Sequence, residues 1–160
     1  MRFARHNETA LLGAVPTHVE ERVIDLDLNS KTTFYRPTYV SIDLDAMEFN
    51  IHEIKKLVKP SKVAVAVKAN AYGHGLIEVA KRLEYLKVEM LCVATPEEAL
   101  SLRENGISTP ILLLSEPPVK AIGPCYLNDI TFTVYTSDSI DAISSYATKE
   151  RKARIHLKVE

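Results

Sequence analysis

The feature that most constrains this chain is the run Val63-Ala64-Val65-Ala66-Val67, which leads without a break into Lys68. The run is apolar with no alternation, so both of its faces expect burial, as in a strand of a parallel sheet. It is short and rich in β-branched valine, which favours strand over helix. A lysine at its carboxyl end stands where parallel α/β proteins keep their chemistry. Tyr72, Gly73, His74 and Gly75 come next, and a helical period begins at Leu76. Glycine adopts φ > 0 at little cost and lets backbone approach a ligand closely, so this segment is expected to be a loop flexible enough to wrap one.

The residue types in this stretch suit one kind of ligand. A desolvated amine is disfavoured in its charged form, and a neutral amine attacks an aldehyde. The amides that open the helix at Leu76 offer an anion site, and Tyr72 can add a hydroxyl. An aldehyde that carries a phosphate, such as pyridoxal 5'-phosphate, answers this description. The plainer alternative is a solvated lysine at a strand end, which is where most charged side chains lie. The G-x-x-x-x-G-K-[ST] order of a nucleotide-phosphate loop is absent, and His74 reads as a loop residue.

The rest of the chain alternates between the two periods. Residues 38–43 read as a strand, followed by a helix capped at Asp45, with Glu48 as reciprocal partner and an apolar face of Met47, Ile51, Ile54 and Val58. Leu76, Val79, Ala80, Leu83 and Leu86 repeat with helical spacing. Strands are expected over residues 89–94, 111–114, 130–135 and 153–159. Thr95, Pro96 and Glu98 form the signature of a capping box, so the pair Glu97-Glu98 reads as helix capping rather than acid–base chemistry. Asn105-Gly106 ends that helix. Residues 119–129 show no clear pattern. Thr136 or Ser137 caps a helix with Ile140, Ile143 and Ala147 inward. Strands alternating with helices predict parallel βαβ units. Residues 1–34 show no sustained period beyond a possible short strand at Val23-Ile24-Asp25-Leu26-Asp27-Leu28, and are expected to be a mobile extension of unknown role.

Val67-Lys68-Ala69-Asn70-Ala71-Tyr72-Gly73-His74-Gly75 resembles the cofactor-lysine signature of bacterial alanine racemases. Arg36-Pro37-Thr38-Tyr39-Val40-Ser41-Ile42-Asp43-Leu44-Asp45-Ala46 and Val93-Ala94-Thr95-Pro96-Glu97-Glu98-Ala99 are similar to further family segments. The resemblance runs over residues 35–160. It implies an α/β fold, the amino-terminal part of a (β/α)8 barrel with about five of its eight strands, without the family's carboxy-terminal β-domain. It implies pyridoxal 5'-phosphate as cofactor, held by Lys68 as an internal aldimine. Lys68 would then serve as one of two bases that interconvert L- and D-alanine for cell-wall synthesis, and Tyr72 would contact the cofactor phosphate. The family's second base is a tyrosine of the partner subunit, so a homodimer is implied for the complete enzyme. An arginine pairing with the cofactor's pyridine nitrogen comes from a later strand. The 160 residues alone are therefore expected to be inactive. One departure stands inside the match: many members carry an arginine where this chain has Thr136. Two alternatives stay open, a fragment that binds the cofactor without turnover and a racemase or decarboxylase relative acting on another amino acid.

Composition excludes other classes. The formal net charge is −1, which gives no electrostatic case for nucleic acid or an anionic membrane. Cys92 and Cys125 are too few for a disulfide framework, and Cys92 lies in an apolar run, as a core residue does. No stretch has transmembrane length, and the apolar run near the amino terminus is too short for a secretion signal, so a cytoplasmic location is expected. Asn7-Glu8-Thr9 matches a glycosylation sequon and is read as chance. No His/Cys/carboxylate cluster has metal-ligand spacing. Tyr126, Tyr135 and Tyr146 read as packing residues. His156 lies on the polar side of an alternating strand, with solvent and barrel mouth both open to it.

Overall fold

The computed structural model describes residues 40–159, and residues 42–160 form one compact unit. Five strands, β1 (Ala64–Ala66), β2 (Met90–Val93), β3 (Ile111–Leu113), β4 (Ile130–Val134) and β5 (Ile155–Leu157), make a single sheet in the order β1-β2-β3-β4-β5. Every pair is parallel. The helices are α1 (Leu44–Leu57), α2 (Lys68–Tyr72), α3 (Leu76–Tyr85), α4 (Pro96–Glu104), α5 (Val119–Leu127) and α6 (Ser137–Ser144).

Strand order that follows chain order without reversal is the signature of a barrel arc. A doubly wound open sheet would reverse its order at a switch point. One face of the arc is dry. Leu91, Val93, Ile111, Leu113, Phe132 and Val134 pack with Leu83, Ala99, Leu102 and Ile122 of the helices. The alternate residues Ala66, Cys92, Leu112 and Thr131 share a register row on the other, concave face. Two residues further along each strand, Lys68, Ala94, Leu114 and Thr133 stand at the carboxyl ends. His156 pairs with Thr133 and so lies on the same face. β1 and β5 are the edges of the sheet.

Several local expectations are met. Thr95 and Glu98 complete both halves of the capping box, with Pro96 in the first turn. Thr136 caps α6, its hydroxyl accepting from the Ser139 amide at 3.3 Å. Cys92 and Cys125 are buried free thiols.

Three expectations are not. Residues 40–43 form no strand: Val40 is 82 % exposed, and among the described residues no strand pairs with this segment. The cap of α1 is Asp43, whose carboxylate accepts from the Asp45 and Ala46 amides, each at 2.9 Å. Asp45 and Glu48 instead accept from Arg82 of α3, at 2.9 and 2.6 Å. The third is α5, a full helix in the stretch that lacked a pattern. Gly123 and Pro124 lie inside it, and both are poor helix formers. Burial of Ile122, Cys125 and Tyr126 overrides that local preference. The possible strand at residues 23–28, the sequon at Asn7 and the mobile extension over residues 1–34 lie outside the described residues.

Candidate active site

β1 hands the chain to Lys68 through Val67, whose amide donates to Cys92 O at 2.8 Å and continues the pairing with β2. Val67 is buried among the helices, so the next side chain points the other way. Lys68 is half-buried on the concave side.

The segment after Lys68 is not a loose loop. Ala69, Asn70, Ala71 and Tyr72 all have φ between 52° and 55°, and Gly73 comes next at 85°. Ala69 to Tyr72 thus make a single left-handed turn directly after Lys68. Each L-residue there costs about 1–2 kcal/mol, so four in succession require a surrounding structure that over-determines them. The bonds that do so are local and numerous. The Ala71 amide donates to Val67 O at 2.8 Å, and the Gly73 amide to Ala69 O and Asn70 O, both at 3.1 Å. The His74 and Gly75 amides donate to Ala71 O and Asn70 O, both at 3.0 Å. His74 adds its ring: Nδ1 lies 2.8 Å from Ala71 O, which makes that nitrogen the protonated donor. His74 therefore closes the turn, as its reading as a loop residue anticipated.

Two side chains that sequence reasoning had not linked to this turn also brace it. Asn70 Oδ1 accepts from the Leu76 amide at 2.8 Å and caps α3. Glu98, at the start of α4, uses Oε2 for the Ala94 and Thr95 amides and reaches the Asn70 amide with Oε1 at 3.4 Å. Asn70 carried a sequence signal, since asparagine tolerates the left-handed region and caps helices. The reach of Glu98 carried none, because the contact spans 28 residues.

The donor set suits an aldehyde phosphate in part. The Lys68 amine and the Tyr72 hydroxyl are available, Tyr72 being 59 % exposed. The helix terminus is less open than its position implied. One of its amides is taken by Asn70, and Glu78 places a negative charge in the same turn.

The other candidates make contacts of their own. Tyr126 is buried, donates to Arg151 O at 2.7 Å and packs against Tyr146. Tyr135 stands at the end of β4, half-exposed, with Lys158 Nζ 5.9 Å from its ring centre. Thr136 donates its hydroxyl to Glu116, whose Oε1 also accepts from the Tyr135 and Thr136 amides, each at 3.0 Å. Burial raises the pKa of Glu116, but those hydrogen bonds outweigh it and hold the carboxyl below the usual range. Burial pushes the Cys92 thiol up. Among the described residues no group of three His, Cys or carboxylate side chains is placed to hold a metal ion, and no helix is long and apolar enough to cross a membrane.

Comparison with known proteins fits this geometry. Residues 42–160 match the family described as alanine racemase, N-terminal domain. Alanine racemase 1 of Oceanobacillus iheyensis is 40% identical over 132 residues, which is 81% of this chain and 35% of that protein. Alanine racemase 2 of Caldanaerobacter subterraneus subsp. tengcongensis is 42% identical, over 78% of this chain and 33% of its own length. Among solved structures, alanine racemase of Clostridium difficile 630 superposes with a TM-score of 0.74 at 41% identity, covering 79% of this chain and 34% of that one. The enzyme from E. faecalis gives a TM-score of 0.72 at 33% identity, covering 79% and 35%. The chain thus spans about a third of the length of the curated relatives it matches. The five parallel strands are the amino-terminal part of a (β/α)8 barrel, and the chain belongs to the alanine racemase family, whose N-terminal domain it carries over residues 42–160.

Proposed function

We propose that this chain is the cofactor-lysine portion of a pyridoxal 5'-phosphate-dependent alanine racemase, with Lys68 as the residue that holds the cofactor and as one of two bases. The observation that carries the reading is the left-handed turn. Four consecutive L-residues at positive φ, directly after a strand-end lysine, are an unfavourable backbone conformation held in place by specific bonds. Such conformations cluster where a ligand must be met by fixed geometry.

When bound, the cofactor supplies an electron sink that acidifies the substrate α-carbon. The chain's own residues would do the rest. Lys68 Nζ would hold the cofactor at its aldehyde carbon and, once the substrate amine takes that place and frees it, would take or return a proton on one face of the substrate. Tyr72 would donate its hydroxyl to the phosphate. Asn70 and His74 would keep the turn from relaxing. The relatives' names carry the substrate, alanine, and the product D-alanine would serve cell-wall synthesis in the cytoplasm. We assign residues 35–160 to the barrel portion and residues 1–34 to a separate extension. The complete protein would be a homodimer whose partner subunit supplies the second base, and the 160 residues alone would hold the cofactor without turnover.

The test is a visible absorption titration of the purified chain with pyridoxal 5'-phosphate, then borohydride reduction and peptide mapping. A single pyridoxyl label on Lys68, lost in Lys68→Ala, is the expected result. Label scattered over many lysines, equal in the wild type and Lys68→Ala, would overturn the assignment. For the complete protein, D-alanine formed from L-alanine is expected. Carbon dioxide release from lysine, ornithine or diaminopimelate would point to a decarboxylase instead.

A further inference from the structure

We infer that Glu98 is a positioning residue for Lys68, in addition to its place in the capping box of α4; the inference rests on the reading of Lys68 as the cofactor lysine. The two oxygens of its carboxylate divide the work. Oε2 accepts from the Ala94 and Thr95 amides, at 3.0 and 3.3 Å, which completes the box. Oε1 is left for the Asn70 amide.

That amide is a sensitive place to hold. Asn70 lies two residues past Lys68, inside the left-handed turn, at φ 55°. Its carbonyl accepts from Gly73 and Gly75, and its side chain caps α3. The amide is therefore where β2–α4 and the turn are joined. Fixing it fixes the plane of the Ala69–Asn70 peptide, and through Ala69 it constrains the turn that begins directly after Lys68. A capping box alone needs one accepting oxygen on the third helical residue, and glutamine serves there as well as glutamate. Holding the Asn70 amide as well needs a second acceptor, which a carboxylate has and an amide group lacks.

This difference gives the experiment. Glu98→Gln keeps an accepting oxygen for the box and replaces the other with NH2, which cannot accept from Asn70. Thr95→Ala does the reverse: it removes the hydroxyl that accepts from the Glu98 amide at 3.3 Å and leaves the carboxylate in place. Amide hydrogen exchange by NMR on the full chain reads the turn directly, without cofactor. In Glu98→Gln the Asn70 amide is expected to exchange about threefold faster, the loss of one long hydrogen bond, with the melting temperature close to wild type. In Thr95→Ala the melting temperature falls while Asn70 exchange keeps its wild-type ratio to global opening. The selectivity of pyridoxyl labelling for Lys68 over the other lysines is expected to fall at least threefold in Glu98→Gln and to hold in Thr95→Ala.

Unchanged Asn70 exchange in Glu98→Gln overturns the positioning role, whatever the labelling does. Faster exchange with unchanged label selectivity also overturns it, since the turn would then be held without consequence for the lysine. Label that is already scattered in the wild type overturns the assignment of Lys68 itself, and with it any positioning role. Exchange then still reports whether Glu98 holds the turn.

Discussion

Replacing Ala69 by glycine should make this protein more stable while making its lysine less well aimed. Ala69 sits at φ 52° with its methyl group exposed, so the substitution removes no packing. An L-residue in the left-handed region costs about 1–2 kcal/mol, which glycine does not incur. Against this stands the greater freedom of glycine in the unfolded chain, about 0.5–1 kcal/mol. The balance is a gain of about 0.5–1 kcal/mol. For a folded unit of this size that raises the melting temperature by roughly 2–4 °C. Asn70→Gly is the control. Asparagine tolerates positive φ better than alanine, so less strain is relieved, and Oδ1 no longer caps the Leu76 amide, at a cost of about 1 kcal/mol. The expected order of melting temperatures is Ala69→Gly above wild type and wild type above Asn70→Gly, by circular dichroism. Labelling of Lys68 should lose selectivity in Ala69→Gly, because the freed backbone samples more directions. An Ala69→Gly protein that melts below wild type would refute the reasoning: the turn would then not be strained.

Glu84 offers a pH test. Its Oε1 accepts from the amides and hydroxyls of Ser108 and Thr109, at 2.7 to 3.1 Å, tying the end of α3 to the approach to β3. Glu84→Ala should cost about 2 kcal/mol in urea unfolding, because the Thr109 amide and hydroxyl lose their acceptor in a partly buried place. Burial raises the Glu84 pKa, and these hydrogen bonds more than reverse it, so the folded-state value lies below the ordinary one. The unfolded chain then binds the proton more readily: the stability is fully present above the unfolded value and is lost as pH falls through the folded one. Glu84→Gln should flatten that acid limb. Phe132, fully buried in β4, should cost about 3–5 kcal/mol as alanine, read by the same unfolding curve. The β1 and β5 edges, unpaired among the described residues, should drive association of this chain by itself, and a sharp monomer in light scattering with a two-state melt would count against that.

The elements with a strong period or a capping signature were legible in the sequence. The apolar runs gave four of the five strands, the alternation of Ile155, Leu157 and Val159 gave the fifth, and Thr95-Pro96 with Glu98 gave α4 to the residue. α5 was hidden because its signal is tertiary: a ring of Tyr146 lies 2.9 Å from where a Cβ of Gly123 would stand, so a small residue is placed by packing rather than by propensity. The strand expected before α1 failed for a related reason. An alternating pattern says only that a segment could pair, and among the described residues no strand pairs with residues 40–43. At the site, the lysine and its glycines were legible, but the conformation between them was not. Ala-Asn-Ala-Tyr has no local preference for the left-handed region beyond its asparagine, so its backbone is held by the hydrogen bonds it makes once folded, within the turn and with α3 and α4.

The arc divides its tasks along the same line. In a sheet whose strands keep chain order, every carboxyl end opens on the same side, so Lys68 and the ends of β3, β4 and β5 share one mouth. The first strand ends in strained backbone braced from two helices. The later strands end in ordinary conformations around a cleft lined by Leu114, Tyr135, Leu157 and Lys158. Thr136, where the family resemblance pointed to arginine, is absorbed by that corner: it caps α6 and donates to Glu116. An arginine there could not cap the helix, so the corner at the end of β4 is built around a hydroxyl. None of the residues that line this cleft belongs to the turn after Lys68, so substitutions at Ala69, Asn70 or Glu98 should move labelling selectivity, and substitutions at Leu114 or Tyr135 should leave it unchanged.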